Sequence, residues 1–136
     1  MGNKVLDMIK DEGAEYVDIR FTDPRGKLQH VTLIADQVDE DFLEEGFMFD
    51  GSSIEGWKSI EASDMKLMVD LDSAYVDPFY AEKTICVHCS VVEPDTGEAY
   101  ERDPRGTALK AEAYLKSSGI GDVAYMGPEA EFFLFD

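Results

Sequence analysis

The chain has 136 residues, a mass of 15.2 kDa and a formal net charge of −18, from 12 lysines and arginines against 30 aspartates and glutamates. A nucleic-acid-binding surface must be basic to displace counterions from phosphates, so this charge excludes nucleic acid as a partner and disfavours anionic membranes. Hydrophobic residues make up 44% of the chain, which is enough for a core, and no apolar run approaches the ~20 residues of a membrane helix. Two cysteines and the absence of an apolar leader predict a reducing, cytoplasmic compartment.

The first third of the chain predicts two short helices on either side of a β-hairpin. Apolar side chains recur at helical spacing in the helices and alternate with polar ones in the strands, which a turn at Asp23–Gly26 joins. Phe42 and Leu43 of the second helix are expected to pack on the hairpin. The predicted elements are a helix that Asn3 caps and Gly13 ends, strands over 16–22 and 27–34, and a helix that Asp39 caps and Gly46 ends.

Residues 46–64 follow neither the helical nor the strand period. They include apolar side chains that a flexible linker would lack, namely Met48, Phe49, Ile54 and Trp57. This pattern predicts an ordered loop held to the core by those four anchors.

The second half predicts strands over 66–72 and 84–92, a turn at 93–97, a helix and a last strand. Asp103 followed by Pro104 is typical of a helix start. The apolar run 131–136 predicts a buried strand that needs neighbours on both faces. The helix ends at Gly119 and has an apolar stripe of Ala108, Ala111, Tyr114 and Leu115. We therefore expect one small α+β domain over residues 1–102, and over 103–136 the opening helix and strand of a second domain whose body is absent.

A pair of glutamates opens the last predicted strand. Glu129 and Glu131 are two residues apart, so on a strand they face the same way, roughly 6.6 Å from each other. Carboxylate oxygens at that spacing suit two adjacent Mg²⁺ or Mn²⁺ ions, and two-metal sites are typical of phosphoryl chemistry. The alternative is a pair of surface glutamates at the start of a strand.

Two other groups of polar residues are candidates for chemistry. Asp50, between glycine and serines, can bind a cation or act as a base, or it can form an Asx-turn with its own backbone. Cys86, His88 and Cys89 lie close in sequence, but a strand places Cys89 opposite the other two and no fourth zinc ligand has a standard spacing. Ordinary strand residues are the better interpretation of that group.

Three separated segments, in this order and spacing, resemble glutamine synthetases of the bacterial type I class. They are Phe49-Asp-Gly-Ser-Ser-Ile-Glu-Gly-Trp57, Tyr100-Glu-Arg-Asp-Pro-Arg105 and Gly127-Pro-Glu-Ala-Glu-Phe-Phe-Leu-Phe135. The similarity runs through the whole chain, including residues 18–23 and 26–31. It departs from the family at Ala130, where a proline is common, but the two flanking glutamates keep their places.

The resemblance implies a fold and an activity. The fold is a β-grasp (ubiquitin-like) N-terminal domain, followed by the first helix and strand of a truncated α+β catalytic domain. The activity is ATP-dependent ligation of ammonia to glutamate through γ-glutamyl phosphate, with Mg²⁺ or Mn²⁺ and with glutamate, ammonium and ATP as substrates. The family forms a homododecamer in which the N-terminal loop of one subunit closes against the catalytic domain of its neighbour. The chain alone is expected to be inactive, because the resemblance places the remaining ligands beyond residue 136.

The same resemblance assigns roles to individual residues. Glu131 would bind the metal on the glutamate side, and Glu129 would bind the metal that bridges the ATP phosphates. Asp50 would occupy the ammonium site and help to take a proton. The other residues implied are Ser53 and Asp64, near the ammonium site, and Trp57, which would anchor the loop at the subunit interface.

Two further functions remain open from the sequence. A relative within the family would ligate glutamate to an amine other than ammonia, although the acidic ammonium site favours ammonia. A non-catalytic acidic β-grasp module would bind a protein partner, but the exposed last strand argues against a finished module.

Overall fold

The computed structural model describes residues 4–59 and 63–136, and its folded part is a mixed sheet covered on one face by two helices. In chain order the elements are α1 (Lys4–Glu12), β1 (Tyr16–Thr22), β2 (Leu28–Ile34), α2 (Glu40–Glu45), β3 (Phe47–Asp50), β4 (Asp64–Val69), β5 (Tyr75–Val76), β6 (Thr84–Val92) and α3 (Pro104–Ser117). No helix in the described part of the chain is long and apolar enough to cross a membrane.

The strand order is β2-β1-β6-β4-β3, and β5 also pairs with β6. The central pair β1–β6 is parallel, whereas the other pairs are antiparallel. The alternation of β1 places Val17, Ile19 and Phe21 on the core side, and β6 places its odd-numbered residues on the same side. The predicted hairpin is confirmed with register Tyr16↔Ile34, and β6 has the predicted bounds.

Both short helices form where capping residues predict them. Asp39 Oδ1 accepts the Phe42 N–H at 2.8 Å, and Gly46 ends α2 with φ +81°, a conformation that favours glycine. A methyl group at Gly46 would also lie 2.6 Å from the Met68 sulfur, so the position is closed to other residues. The predicted cap of α1, Asn3, lies outside the described residues. The backbone of α2 approaches β4 most closely, and Leu43 joins the core cluster that also contains Val17 and Ile19 of the hairpin.

Two expectations about the strands need correction, and one strand was not expected. Residues 46–64 are not wholly loop, since β3 pairs with β4 from Phe47↔Leu67 to Asp50↔Asp64, and Met48 faces away from the core, 47% exposed. The strand predicted over 66–72 begins at Asp64 and ends at Val69, because the following residues form a turn. The short strand β5 had no sequence signal, since two residues are too few to show a period.

The C-terminal segment differs most from expectation. Residues 131–136 form no strand, and the side chains of Phe132, Phe133, Leu134 and Phe135 are exposed. A strand requires a neighbouring strand for its hydrogen bonds, and none of the described residues pairs with this segment. The apolar stripe of α3 is likewise uncovered, with Tyr114 69% exposed, and Gly106 is the only buried residue of that helix.

Candidate functional site

The pairing of β3 with β4 brings two acidic residues side by side. Asp50 and Asp64 are register partners at the end of this antiparallel pair, and both are exposed. Side chains directly opposite in such a pair have Cβ atoms about 4.5–5.5 Å apart, where two negative charges repel. The register therefore brings two carboxylate-bearing residues to adjacent positions at the end of these strands.

Asp50 is held by the turn that follows it. Its Oδ1 accepts the Ser52 N–H at 2.9 Å and the Ser52 hydroxyl at 2.6 Å, which is the Asx-turn that the sequence allows. The hydrogen bonds from Ser52, with a further one from Ser63, keep the pKa of Asp50 below its ordinary value. The carboxylate is consequently ionised and oriented at neutral pH. Ser53 lies exposed at the end of the same turn, whereas Ser52, its neighbour, makes the contacts.

The turn after Asp50 requires glycine at position 51. The Gly51 N–H donates to the Ser63 carbonyl at 2.7 Å, which draws the turn down onto β4. A Cβ at this position would lie 2.3 Å from the sulfur of Met65, a fully buried side chain. Close approach of the backbone to this methionine therefore holds the turn after Asp50 against β4.

Trp57 fixes the far end of the loop to the core of this chain. Its side chain is 5% exposed and its ring stacks on Phe21, with centroids 5.6 Å apart. The rings of Phe49 and Tyr100 meet it edge-on at 6.0 and 5.8 Å. Three of the four predicted anchors, Phe49, Ile54 and Trp57, are therefore confirmed, and they hold the end of β3 and the turns after it to the core.

Residues 93–102 also hold this loop, through hydrogen bonds and an ion pair. The Tyr100 hydroxyl donates to the Trp57 carbonyl at 3.0 Å, and Arg102 donates to the Gly56 carbonyl at 2.9 Å. Lys58 forms an ion pair with Glu93 at 2.6 Å. The loop is therefore fixed at both ends and presents Asp50 on a rigid support.

The two glutamates of the C-terminal segment do not join this acidic pair. Glu129 and Glu131 are both exposed in the segment without regular structure. Their oxygens are suitable donors for Mg²⁺ or Mn²⁺. In residues 4–59 and 63–136, however, no three His, Cys, Asp or Glu side chains cluster closely enough to hold a metal ion. The described residues thus supply two donors of the right kind but not a complete site.

The opposite face of the sheet contains a charged network that the sequence did not predict. Asp18, fully buried, accepts hydrogen bonds from Arg20 at 2.7 Å, His30 at 2.8 Å and Thr32 at 2.7 Å, and Arg20 also contacts Asp77 at 2.8 Å. Burial would raise the pKa of Asp18, but these hydrogen bonds outweigh it and the pKa is lowered. Alternation in β1 predicts an outward-facing polar residue here, and nothing in the sequence indicates that one is buried.

Both cysteines are free and buried in β6. Burial raises the pKa of the Cys86 thiol to about 11 and that of the Cys89 thiol to about 12. Thiols with such pKa values are poor nucleophiles and poor metal ligands, since both roles need the thiolate.

Comparison with known families identifies the chain. A family model described as glutamine synthetase, beta-Grasp domain, matches residues 13–94, and one described as glutamine synthetase, catalytic domain, matches residues 101–136. The chain belongs to the glutamine synthetase family. The β-grasp fold expected from the resemblance is thereby confirmed.

Individual relatives include proteins named glutamine synthetase and one with another name. The chain is 81% identical over 131 residues to the glutamine synthetase of Cereibacter sphaeroides, a match that covers 96% of this chain and 28% of that protein. It is also 55% identical over 132 residues to a Cupriavidus pinatubonensis protein named 3-hydroxylaminophenol mutase, covering 97% and 28%. The cryo-EM structure of Plasmodium falciparum glutamine synthetase has a TM-score of 0.77 at 24% identity, covering 88% and 23% of the two chains, and supports the fold alone. The chain thus spans about 28% of the length of these two curated relatives.

Proposed function

We propose that the chain is the N-terminal portion of an ATP-dependent glutamate–ammonia ligase, a glutamine synthetase. The observation that carries the proposal is the loop at residues 49–57, which holds an ionised Asp50 beside Asp64 on a rigid aromatic support. Family membership and the 81% identity to a glutamine synthetase support the choice of reaction.

Asp50 and Asp64 form the ammonium-binding part of the site in this proposal. Ammonium is a small cation, and two adjacent carboxylates both attract it and accept its hydrogen bonds. Hydrogen bonds from Ser52 lower the pKa of Asp50, so its carboxylate is ionised at neutral pH and can attract the cation before helping to take a proton. Ser53 lies at the exposed end of the same turn, within the proposed site.

Glu129 and Glu131 contribute part of a divalent-metal site, with further ligands from outside the described residues. When bound, Mg²⁺ or Mn²⁺ would offset the negative charge of the phosphates of ATP, the second substrate. The proposal places the reaction in the cytoplasm and the site between neighbouring subunits of a homododecamer. Trp57, buried in its own subunit, supports the loop that would face the neighbour.

The proposal is tested with a chimera in which this chain replaces the matching 28% of the Cereibacter sphaeroides glutamine synthetase. The chimera is expected to form glutamine from glutamate, ammonium and ATP, whereas the 136-residue chain alone forms none. A folded, assembled chimera without activity would contradict the proposal. A preference for another amine over ammonium would favour the γ-glutamyl-amine ligase instead.

The metal assignment has a separate test that does not depend on turnover. Replacing Glu129 and Glu131 by Ala in the chimera is expected to weaken Mn²⁺ binding, measured by calorimetry, at least tenfold. Glu101→Ala and Glu112→Ala remove exposed carboxylates elsewhere and serve as controls. Unchanged Mn²⁺ affinity in the double variant would refute the assignment.

A further inference from the structure

The junction between the sheet and α3 depends on one buried carboxylate. Asp103 is 1% exposed and precedes the first residue of α3. Its Oδ1 accepts the Arg105 N–H at 3.1 Å, and its Oδ2 accepts the Gly106 N–H at 3.0 Å. These are the bonds of an ordinary helix cap, which any short polar side chain can supply.

A third hydrogen bond joins the Asp103 side chain to the sheet and not to its own helix. Its Oδ2 also accepts the N–H of Val91, a residue of β6, at 3.1 Å. β1 pairs with β6 only as far as His88, and the Val91 carbonyl accepts the Tyr100 N–H at 2.9 Å. The carboxylate therefore takes the place of the next strand partner and bonds the start of α3 directly to the C-terminal end of β6.

The rest of α3 has little other attachment. Gly106 is its only buried residue, and residues 107–114 are exposed. A methyl group at Gly106 would lie 3.3 Å from Asp103 Oδ2, so the first turn sits tightly on the carboxylate. One ion pair adds to this contact, between Arg105 and Asp70, the residue that follows β4. The direction in which α3 leaves the sheet is thus set within its first turn.

We infer that Asp103 is a positioning residue, whose carboxylate fixes the orientation of α3 relative to the sheet. The second part of the inference rests on the proposed function. If Asp50 serves the ammonium site and α3 opens the catalytic domain, this orientation also determines how the Asp50 loop meets the rest of the active site.

The first test measures orientation in the 136-residue chain itself. Spin labels are placed on the exposed residues Asp36 and Lys110 after each is changed to cysteine, and Cys86 and Cys89 resist labelling because they are buried. Asp103→Ser preserves a capping oxygen but is too short to reach β6. Pulsed electron paramagnetic resonance should give a narrow distribution of distances between the two spin labels in the parent chain. In Asp103→Ser the distribution should be at least twice as wide.

The matched control is Asp39→Ser, which alters an exposed cap of α2 that accepts only a helical N–H. Asp39→Ser should leave the distance distribution between the two spin labels unchanged. Asp103→Asn retains one acceptor oxygen and should restore most of the narrow distribution. Should the serine variant fail to fold, Asp103→Thr, another helix-capping residue too short to reach β6, replaces it and should give the same wide distribution. A folded Asp103→Ser chain with the parent distribution would overturn the inference.

Kinetics of the chimera test the second part. Asp103→Ser should raise KM for ammonium about tenfold while KM for ATP stays within twofold, and Asp39→Ser should change neither. An equal rise in KM for ammonium and for ATP, or no rise in either, would overturn the positioning role in catalysis. An inactive parent chimera would instead refute the proposed function and leave the spin-label result valid.

Discussion

The burial of Trp57 predicts that it is a major source of stability for the sheet and its loop. The side chain is 5% exposed and contacts three aromatic rings, those of Phe21, Phe49 and Tyr100. Truncation of a buried aromatic side chain to alanine costs about 3–5 kcal/mol, from lost transfer free energy and the cavity left behind. Because small domains have a total stability of about 5–15 kcal/mol, Trp57→Ala should remove a third or more of it in a marginal case.

Trp57→Phe should cost much less. The smaller ring keeps contacts with the surrounding aromatics, and it removes an indole Nε1 that is buried without a hydrogen-bond partner among the described residues. We expect a loss of roughly 1–2 kcal/mol from the volume removed. Phe79→Ala is the matched control, because that ring is 93% exposed and its truncation should change stability by about 0.5 kcal/mol or less.

The assay is urea unfolding followed by far-ultraviolet circular dichroism, since Trp57 is the only tryptophan and its fluorescence disappears in the variants. For a domain of this size each kcal/mol corresponds to about 4–8 °C in Tm, so a thermal scan gives an independent check. A loss below 1 kcal/mol in Trp57→Ala would refute the conclusion that this residue anchors the loop.

Three further predictions concern other parts of the fold. Asp18→Asn should cost about 3–5 kcal/mol at pH 7, because it removes one partner of a buried charged network. The pKa of Asp18 is lower in the folded chain than in the unfolded chain, so the unfolded chain binds more protons. The free energy of unfolding of the parent should therefore fall as the pH drops through the folded pKa. The Asp18→Asn variant should lack this contribution to the pH dependence. Cys86 and Cys89 should react with a thiol reagent at pH 8 only after urea unfolding; rapid labelling of the folded chain would contradict their burial. Gly51→Ala should cost about 1–3 kcal/mol by clashing with the methionine beneath it, whereas Gly127→Ala, with no atom within 4 Å, should be neutral in the same unfolding assay.

Local sequence patterns were sufficient for most of the fold. Alternation identified β1, β2 and β6, and capping residues such as Asp39 and Asp103 marked helix starts, because these signals arise from hydrogen bonds within a few residues. The pattern missed β3, whose four residues lie beside glycines and serines and form a strand only through pairing with β4. Such pairing joins segments that are distant in sequence, so the local sequence pattern of either segment gives little indication of it.

The candidate site was likewise predicted only in part from local sequence. The sequence pointed to Asp50 by its neighbours and allowed its Asx-turn with Ser52, but its position opposite Asp64 follows from the register of two strands. The buried Asp18 was not predicted, since an aspartate on an alternating strand normally faces water. The expected strand after Glu129 failed because its apolar run has no partner among the described residues.

The most direct test of the central claim is the ammonium dependence of the chimera with Asp50 changed to Asn. The substitution keeps the size and the turn but removes the charge, and Asp95→Asn, an exposed acid in the turn after β6, is the control. For Asp50→Asn we expect KM for ammonium to rise at least tenfold and KM for ATP to stay within twofold of the parent value. The control variant should change neither. Unaltered use of ammonium by a folded Asp50→Asn enzyme would contradict the central claim.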